Sequence, residues 1–188
     1  MLETHETLEN NQKQAPKYNI LARILHWLIA ILIITVFSLG LAIEELEDSN
    51  FKYIANLYQI HKITGVIIFL LLIPRILNRI LFKAPALPNA FKRNEVIFAK
   101  LGHIVLYLLM LIAPISGYLM SGFAGYPVSF GNYQLPMPNP NFDLAKTFAE
   151  IHEFTTFALI IVAVLHILIA LKHRFFDIKE KNILGRML

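Results

Sequence analysis

Histidine is the residue type in this sequence whose number and placement point to chemistry. Five of the seven histidines lie in or at the edge of long apolar runs: His26, His61, His103, His152 and His166. An ionisable side chain at membrane depth is costly, so each of these positions is a candidate functional site. Imidazole is also the commonest metal ligand among side chains. The two other histidines lie in a polar N-terminal segment and in a basic membrane edge, and they carry no such signal.

The spacing between His152 and His166 predicts two separate sites. The two residues are 14 positions apart in one apolar run. In an α-helix this spacing returns to within about 40° of the same face, with a separation of about 21 Å along the axis. Both side chains therefore face one neighbouring surface but cannot share a metal. One site near each surface of a bilayer follows.

Four apolar runs must position these histidines, and each is long enough to cross a bilayer as a helix. They cover about residues 21–43, 60–82, 96–120 and 148–171. The sequence therefore predicts an all-α integral membrane protein, a four-helix bundle over residues 21–175. Residues 1–20 are expected to form a disordered polar tail, and residues 176–188 a basic cytoplasmic tail.

Composition agrees with a membrane protein and removes several classes of site. Of the 188 residues 56% are hydrophobic and 16% are charged, and the mean hydropathy is +0.57. The net charge of +4 comes from residues at the ends of apolar runs, so we expect no nucleic-acid partner. The chain contains no cysteine, which excludes thiolate-bound iron–sulfur clusters and covalently attached haem.

The distribution of Lys and Arg predicts the orientation of the bundle. Fourteen of the 17 basic residues fall beside the N-terminus, the second connection or the C-terminus, and three fall on the other side. By the positive-inside rule both termini are cytoplasmic. His26 and His166 then lie toward the inner surface, while His61 and His152 lie toward the outer surface.

Two histidine pairs at matched depth indicate haem. Each depth offers two imidazoles, whereas a structural zinc site requires four ligands. Two axial histidines fill both open positions of a haem iron, so the expected chemistry is one-electron transfer. A single membrane histidine could equally form an interhelical hydrogen bond, and a proton-relay transporter is a further alternative.

Four other residues have open roles at this stage. His103 could contact a quinone or a haem propionate, or replace His26 as a ligand, and Arg75 could neutralise a propionate or anchor its helix at the interface. Lys62 and Lys146 could attract an anionic donor to the outer side or contact lipid headgroups.

The sequence resembles the bacterial cytochrome b561 family over nearly the whole chain after the polar tail. The matching segments are ILHW (24–27), IHKITGVI (60–67) with PR (74–75), LGHIVLYLLMLIAPISG (101–117) and IHEFTTFALIIVAVLHILIALKHRF (151–175). The resemblance implies two b-type haems bound by His26, His61, His152 and His166, ubiquinone as a partner, and a bacterial inner-membrane location.

Some members of that family oxidise superoxide and reduce ubiquinone, which is the reaction the resemblance suggests. A different kind of function also fits the residues: a haem-bearing anchor subunit that links a separate dehydrogenase or hydrogenase to the quinone pool.

Overall fold

The computed structural model describes residues 17–49, 51–86, 90–178 and 181–188. Residues 1–16 of the expected disordered tail (1–20) lie outside the described residues. Four helices dominate the chain: α1 (Ile20–Leu46), α2 (Ile54–Leu81), α3 (Arg93–Phe123) and α4 (Phe142–Phe175). All four are long and apolar enough to span a membrane. The prediction of an all-α membrane bundle is confirmed.

The helices extend beyond the apolar runs that marked them in the sequence. α2 begins six residues before the expected start and α4 begins at Phe142, where the Asn141 side chain accepts a hydrogen bond from the backbone N–H of Leu144. Capping of this kind allows polar turns to continue a helix past the hydrocarbon region. Hydropathy alone therefore detects the membrane-spanning part of a helix but not its polar ends.

Helix packing is uneven around the bundle. α3 packs most extensively on α4, α1 packs on α2, and α2 packs on α3. The backbones of α1 and α4 approach each other much less closely, and side chains bridge the space between them, including the rings of Phe37 and Phe157 at 5.7 Å. The bundle therefore leaves room beside α4.

The buried core is a small aliphatic cluster at mid-depth, formed by Ile29, Ile68, Leu72, Met110 and Leu159. Most other large apolar side chains face outward, as expected for helices in lipid. Large outward-facing apolar surfaces on all four helices are the surfaces that a bilayer would cover.

An ordered cap closes one end of the bundle. It follows α3 and contains a two-stranded antiparallel hairpin, β1 (Ser129–Phe130) and β2 (Tyr133–Gln134), with the positive-φ residue Gly131 in its turn. Gln59 holds it from α2, donating to the Pro127 carbonyl at 3.2 Å and accepting from the Ser129 N–H at 3.2 Å.

The C-terminal segment packs against the opposite end of the bundle. The indole N–H of Trp27 donates to the Met187 carbonyl at 2.9 Å, and the buried Arg186 guanidinium donates to the Pro85 and Ala86 carbonyls. The predicted basic tail thus lies on the helix ends beside the residue that follows His26.

Candidate haem sites

The structure brings together the two histidine pairs that the sequence predicted. We call His61 and His152 the outer pair and His26 and His166 the inner pair. The ring centroids are 6.2 Å apart in the outer pair and 6.4 Å apart in the inner pair. Each pair joins α4 to another helix, at one level in the bundle.

These separations suit a metal held between two imidazoles. With metal–nitrogen bonds of about 2 Å, and ring atoms about 1.1 Å from the centroid, two trans imidazoles lie about 6.3 Å apart, centroid to centroid. Among the described residues, no group of three or more His, Cys, Asp or Glu side chains could hold a metal. Each pair would therefore offer two imidazole ligands, which fits a haem held by two histidines.

Glycines give the outer pair its space. A Cβ atom on Gly117 of α3 would lie 2.8 Å from the Cε1 atom of His152, and one on Gly40 of α1 would lie 3.3 Å from the Cε1 atom of His61. The first distance is shorter than a real Cβ contact allows. The outer imidazoles thus reach their positions because two neighbouring helices lack a side chain there.

The four paired histidines have different polar neighbours. His152 donates its Nδ1–H to the Ala113 carbonyl at 2.8 Å, so its Nε2 atom carries the lone pair. In the inner pair, the Nδ1 atom of His26 lies 3.0 Å from the Nη2 atom of Arg75. The Nδ1 atom of His61 is buried and has no hydrogen-bond partner within the described part of the chain.

Two partly buried arginines, Arg23 and Arg75, accompany the inner pair. Their Nε atoms are buried and have no hydrogen-bond partner among the described residues, and Arg75 also lies over the Tyr107 ring at 5.7 Å. A buried donor without an acceptor is costly and calls for an acidic group that would complete it. Haem propionates are such groups, so the residues present fit a b-type haem.

His103 joins the inner level but differs from a ligand in its geometry. Its ring centroid is 5.3 Å from that of His166, about 1 Å less than a metal between two imidazoles requires. Its Nδ1–H donates to the Ala99 carbonyl one turn earlier, at 2.6 Å. The geometry favours His26 as the partner of His166.

Lys62 and Lys146 have different surroundings. The Lys62 ammonium donates to the carbonyls of Tyr126 at 3.3 Å and Pro127 at 3.1 Å, so it holds the cap. Lys146 is exposed near the start of α4. The sequence suggested an anionic donor or lipid headgroups for both lysines, and the cap contact of Lys62 is a further role that it did not reveal.

A spacing of 14 residues relates the site residues that the sequence predicted to those that it did not. Each helix carries two candidate site positions 14 residues apart, a separation that the sequence analysis used only for α4: His26 and Gly40, His61 and Arg75, His103 and Gly117, His152 and His166. Applied to all four helices, this spacing would have identified Gly40 and Gly117.

Four membrane-spanning helices with imidazoles paired across them define the class of helical membrane proteins that hold a cofactor within the bundle. The comparisons make this class specific. The family model described as prokaryotic cytochrome b561 matches residues 17–188. The chain therefore belongs to the prokaryotic cytochrome b561 family, which implies b-type haem, membrane electron transfer and a multi-pass location in the bacterial inner membrane.

Two curated relatives align over nearly their full length. Cytochrome b561 homolog 2 of Escherichia coli (strain K12) is 31% identical over 174 residues, which is 92% of this chain and 91% of that protein. A protein of Yersinia pestis named Probable superoxide oxidase CybB is 31% identical over 173 residues, which is 92% of this chain and 96% of that protein.

Proposed function

We propose that the chain is a dihaem cytochrome that carries single electrons from a small donor on the outer side, such as superoxide, to ubiquinone near the inner side. His61 and His152 would bind the outer haem, and His26 and His166 the inner haem. The observation that carries the proposal is the pair of centroid separations, 6.2 and 6.4 Å, at two levels of one bundle. The name of the Yersinia pestis relative suggests the donor.

A haem with two histidine ligands supplies one-electron transfer and has no open position for dioxygen. The chain's own residues supply the rest. Ala113 fixes the tautomer of His152, the guanidinium groups of Arg23 and Arg75 offer partners for propionates, and the aliphatic core excludes water between the two levels.

The net reaction balances with two donors for each quinone. Two superoxide anions each lose one electron and become two molecules of dioxygen. Ubiquinone gains those two electrons and two protons and becomes ubiquinol. The protons come from the cytoplasm in the predicted orientation.

A groove beside the inner pair supports a quinone contact. It is lined by Ile76, Arg79, Ile80 and Tyr107. Arg75 connects it to His26, because this guanidinium lies over the Tyr107 ring and within hydrogen-bond distance of the His26 imidazole. Apolar walls with a few polar groups suit a lipid-soluble ring. His103 lies one helical turn before Tyr107, and we assign it to quinone or propionate contact.

Purified protein in lipid tests the proposal. We expect two haems per chain with a b-type reduced spectrum, and ubiquinol formation when superoxide is generated enzymatically. Superoxide dismutase should abolish that ubiquinol. A haem ratio of one or zero would contradict the paired sites, and a dihaem protein without ubiquinol formation would contradict the donor or the acceptor. Activity that requires a co-purifying dehydrogenase would instead favour the anchor-subunit function.

A further inference from the structure

The two histidine pairs have polar neighbours of opposite character, a carbonyl beside the outer pair and a guanidinium beside the inner pair. In the outer pair, His152 donates its Nδ1–H to the Ala113 carbonyl at 2.8 Å. Metal-binding histidines usually donate in this way, and a carbonyl acceptor makes the imidazole a more basic, electron-rich ligand. A more basic ligand stabilises the oxidised iron.

The inner pair reverses this arrangement. The partner of the His26 Nδ1 atom is the Nη2 atom of Arg75 at 3.0 Å. A guanidinium has donors and no acceptor, whereas a neutral imidazole that binds iron through Nε2 keeps its proton on Nδ1. Beside an iron-bound His26 the guanidinium therefore acts through its positive charge and not as a hydrogen-bond donor to the ring. A positive charge beside the ring favours the reduced iron.

Among the described residues, no carboxylate forms an ion pair with Arg75. The ion pairs in the described part of the chain are His173 with Asp177 and Lys181 with Glu95. The Arg75 side chain is partly buried and its Nε atom is fully buried, and the guanidinium also lies 3.5 Å from the Ala22 carbonyl and over the Tyr107 ring. A positive charge in a low-dielectric setting acts strongly on an added electron nearby.

We propose that Arg75 is a positioning residue that sets the direction of electron flow, by making the inner haem a better electron acceptor than the outer haem. The inference rests on the proposed dihaem assignment and adds to it the residue that creates the difference. Contact between Arg75 and a propionate would act in the same direction, because the cation would then partly neutralise that carboxylate.

A redox titration of the purified dihaem protein tests the inference without any donor or quinone. His61→Ala removes one outer ligand, so the remaining midpoint potential belongs to the inner haem, and it should match the higher of the two wild-type values. A match to the lower value would overturn the inference.

Variants of Arg75 give the second arm of the test. We expect Arg75→Met to lower the inner midpoint potential because the positive charge beside the inner site is lost, so that the equilibrium constant for outer-to-inner electron transfer falls about tenfold, which corresponds to about 1.4 kcal/mol. Arg75→Gln keeps hydrogen bonding without the charge and should do the same, whereas Arg75→Lys should restore most of the potential.

The outcomes separate this inference from the proposed function. If the Arg75 variants bind two haems and their midpoint potentials are unchanged, or both potentials shift equally, the inference is overturned and the dihaem assignment stands. Protein that never binds two haems would instead overturn the proposed function. An unchanged reduced spectrum in Arg75→Met and Arg75→Gln would show that both histidine ligands remain in place.

Discussion

At the scale of single residues, the sites depend on imidazoles whose neighbours are unusually small or unusually polar. His152 fits against Gly117 and the Ala113 carbonyl, and His61 fits against Gly40. A ring in such a position has few alternative rotamers, so the surrounding helices fix the orientation of each candidate ligand without a cofactor. Both the imidazoles and the glycines beside them can therefore be tested by substitution.

Replacing His61 by Ala should remove one haem and spare the other, because the pairs are on separate levels of the bundle. The haem-to-protein ratio of the purified variant should fall from two to one. His103→Ala is the matched control and should keep two haems, since its ring is too close to that of His166 for a metal to lie between them. A ratio of two in His61→Ala, or of one in His103→Ala, would contradict the assignment.

Gly117→Ala should weaken the outer site without removing any ligand. The added methyl group would lie 2.8 Å from His152, and overpacking of this kind costs about 1–3 kcal/mol. We expect loss of the outer haem signal during purification or gentle heating. Gly102→Ala in the same helix is the control, because its Cβ would have no neighbour within 4 Å. Equal haem retention in both variants would show that the close contact does not matter.

At the scale of helices, the same 14-residue spacing occurs in all four helices. A separation of 14 residues places two positions on one face about 21 Å apart, and each helix uses it to contribute once to each level. The outer level receives His61, His152 and two glycines, while the inner level receives His26, His166, His103 and Arg75. The helices are therefore equivalent in register but different in the chemistry they deliver.

The cap between α3 and α4 is the second element with a definable role. Gln59 and Lys62, one turn apart on α2, hold its first turn through backbone groups. Gly122 also packs tightly against it, since a Cβ there would lie 2.7 Å from Pro138. The cap thus lies on the turn of α2 that carries His61.

Loosening the cap should expose Val128, which is only 3% exposed. The chain has no cysteine, so Val128→Cys gives a single thiol for a membrane-impermeant maleimide. Adding Gln59→Leu removes two hydrogen bonds of about 1 kcal/mol each and should raise the labelling rate about tenfold or more. Asn132→Cys at the exposed hairpin turn should label equally with and without Gln59→Leu. Unchanged labelling of Val128→Cys would show that Gln59 does not hold the cap.

Sequence patterns predicted much of this protein, for physical reasons that also explain the gaps. Apolar runs reveal spans because lipid demands them, and costly buried histidines stand out for the same reason. The contact between Gly117 and His152 depends on how two helices face each other, which hydropathy does not encode. The Arg75 contact with His26 and the Lys62 contact with the cap also needed the relative rotation of helices. The preference for His26 over His103 as the partner of His166 depends on the distances between their ring centroids, which the sequence does not contain.

At the scale of the whole molecule, charge is divided between the two ends of the bundle. The end that carries the outer pair has seven carboxylates and three lysines among its described residues. These are Glu44, Glu45, Glu47, Asp48, Asp143, Glu150 and Glu153, with Lys52, Lys62 and Lys146. The other end carries most of the basic residues. This division of charge supports the proposed orientation and also affects how fast a charged donor approaches the outer end.

Orientation can be measured by labelling in intact cells. Asn132→Cys in the cap and Lys83→Cys after α2 each place one thiol at opposite ends of a chain that has none. With cytoplasmic termini, the impermeant reagent should modify Asn132→Cys in intact cells and Lys83→Cys only after the cells are opened. The reverse pattern would show that the bundle is inserted the other way.

The acidic outer end predicts an unusual salt dependence for an anionic donor. Carboxylates repel superoxide at long range, and salt screens this repulsion as the Debye length falls from about 30 Å to about 8 Å between about 0.01 and 0.15 M. We expect the superoxide-dependent rate of haem reduction to rise about two- to threefold over this range. Reduction by the cationic hexaammineruthenium(II) should slow. A superoxide rate that falls with salt would contradict this electrostatic account.

The aliphatic cluster has a consequence for energy conservation. Ile68, Met110 and Leu159 each lie seven residues from both functional positions of their helix, so the cluster forms a septum midway between the two levels. Hydrocarbon side chains offer no relay for protons, yet an electron can tunnel through them. In the proposed orientation each turnover would therefore move electrons inward without protons. The cytochrome would then contribute to the membrane potential with the same sign as an outward proton pump.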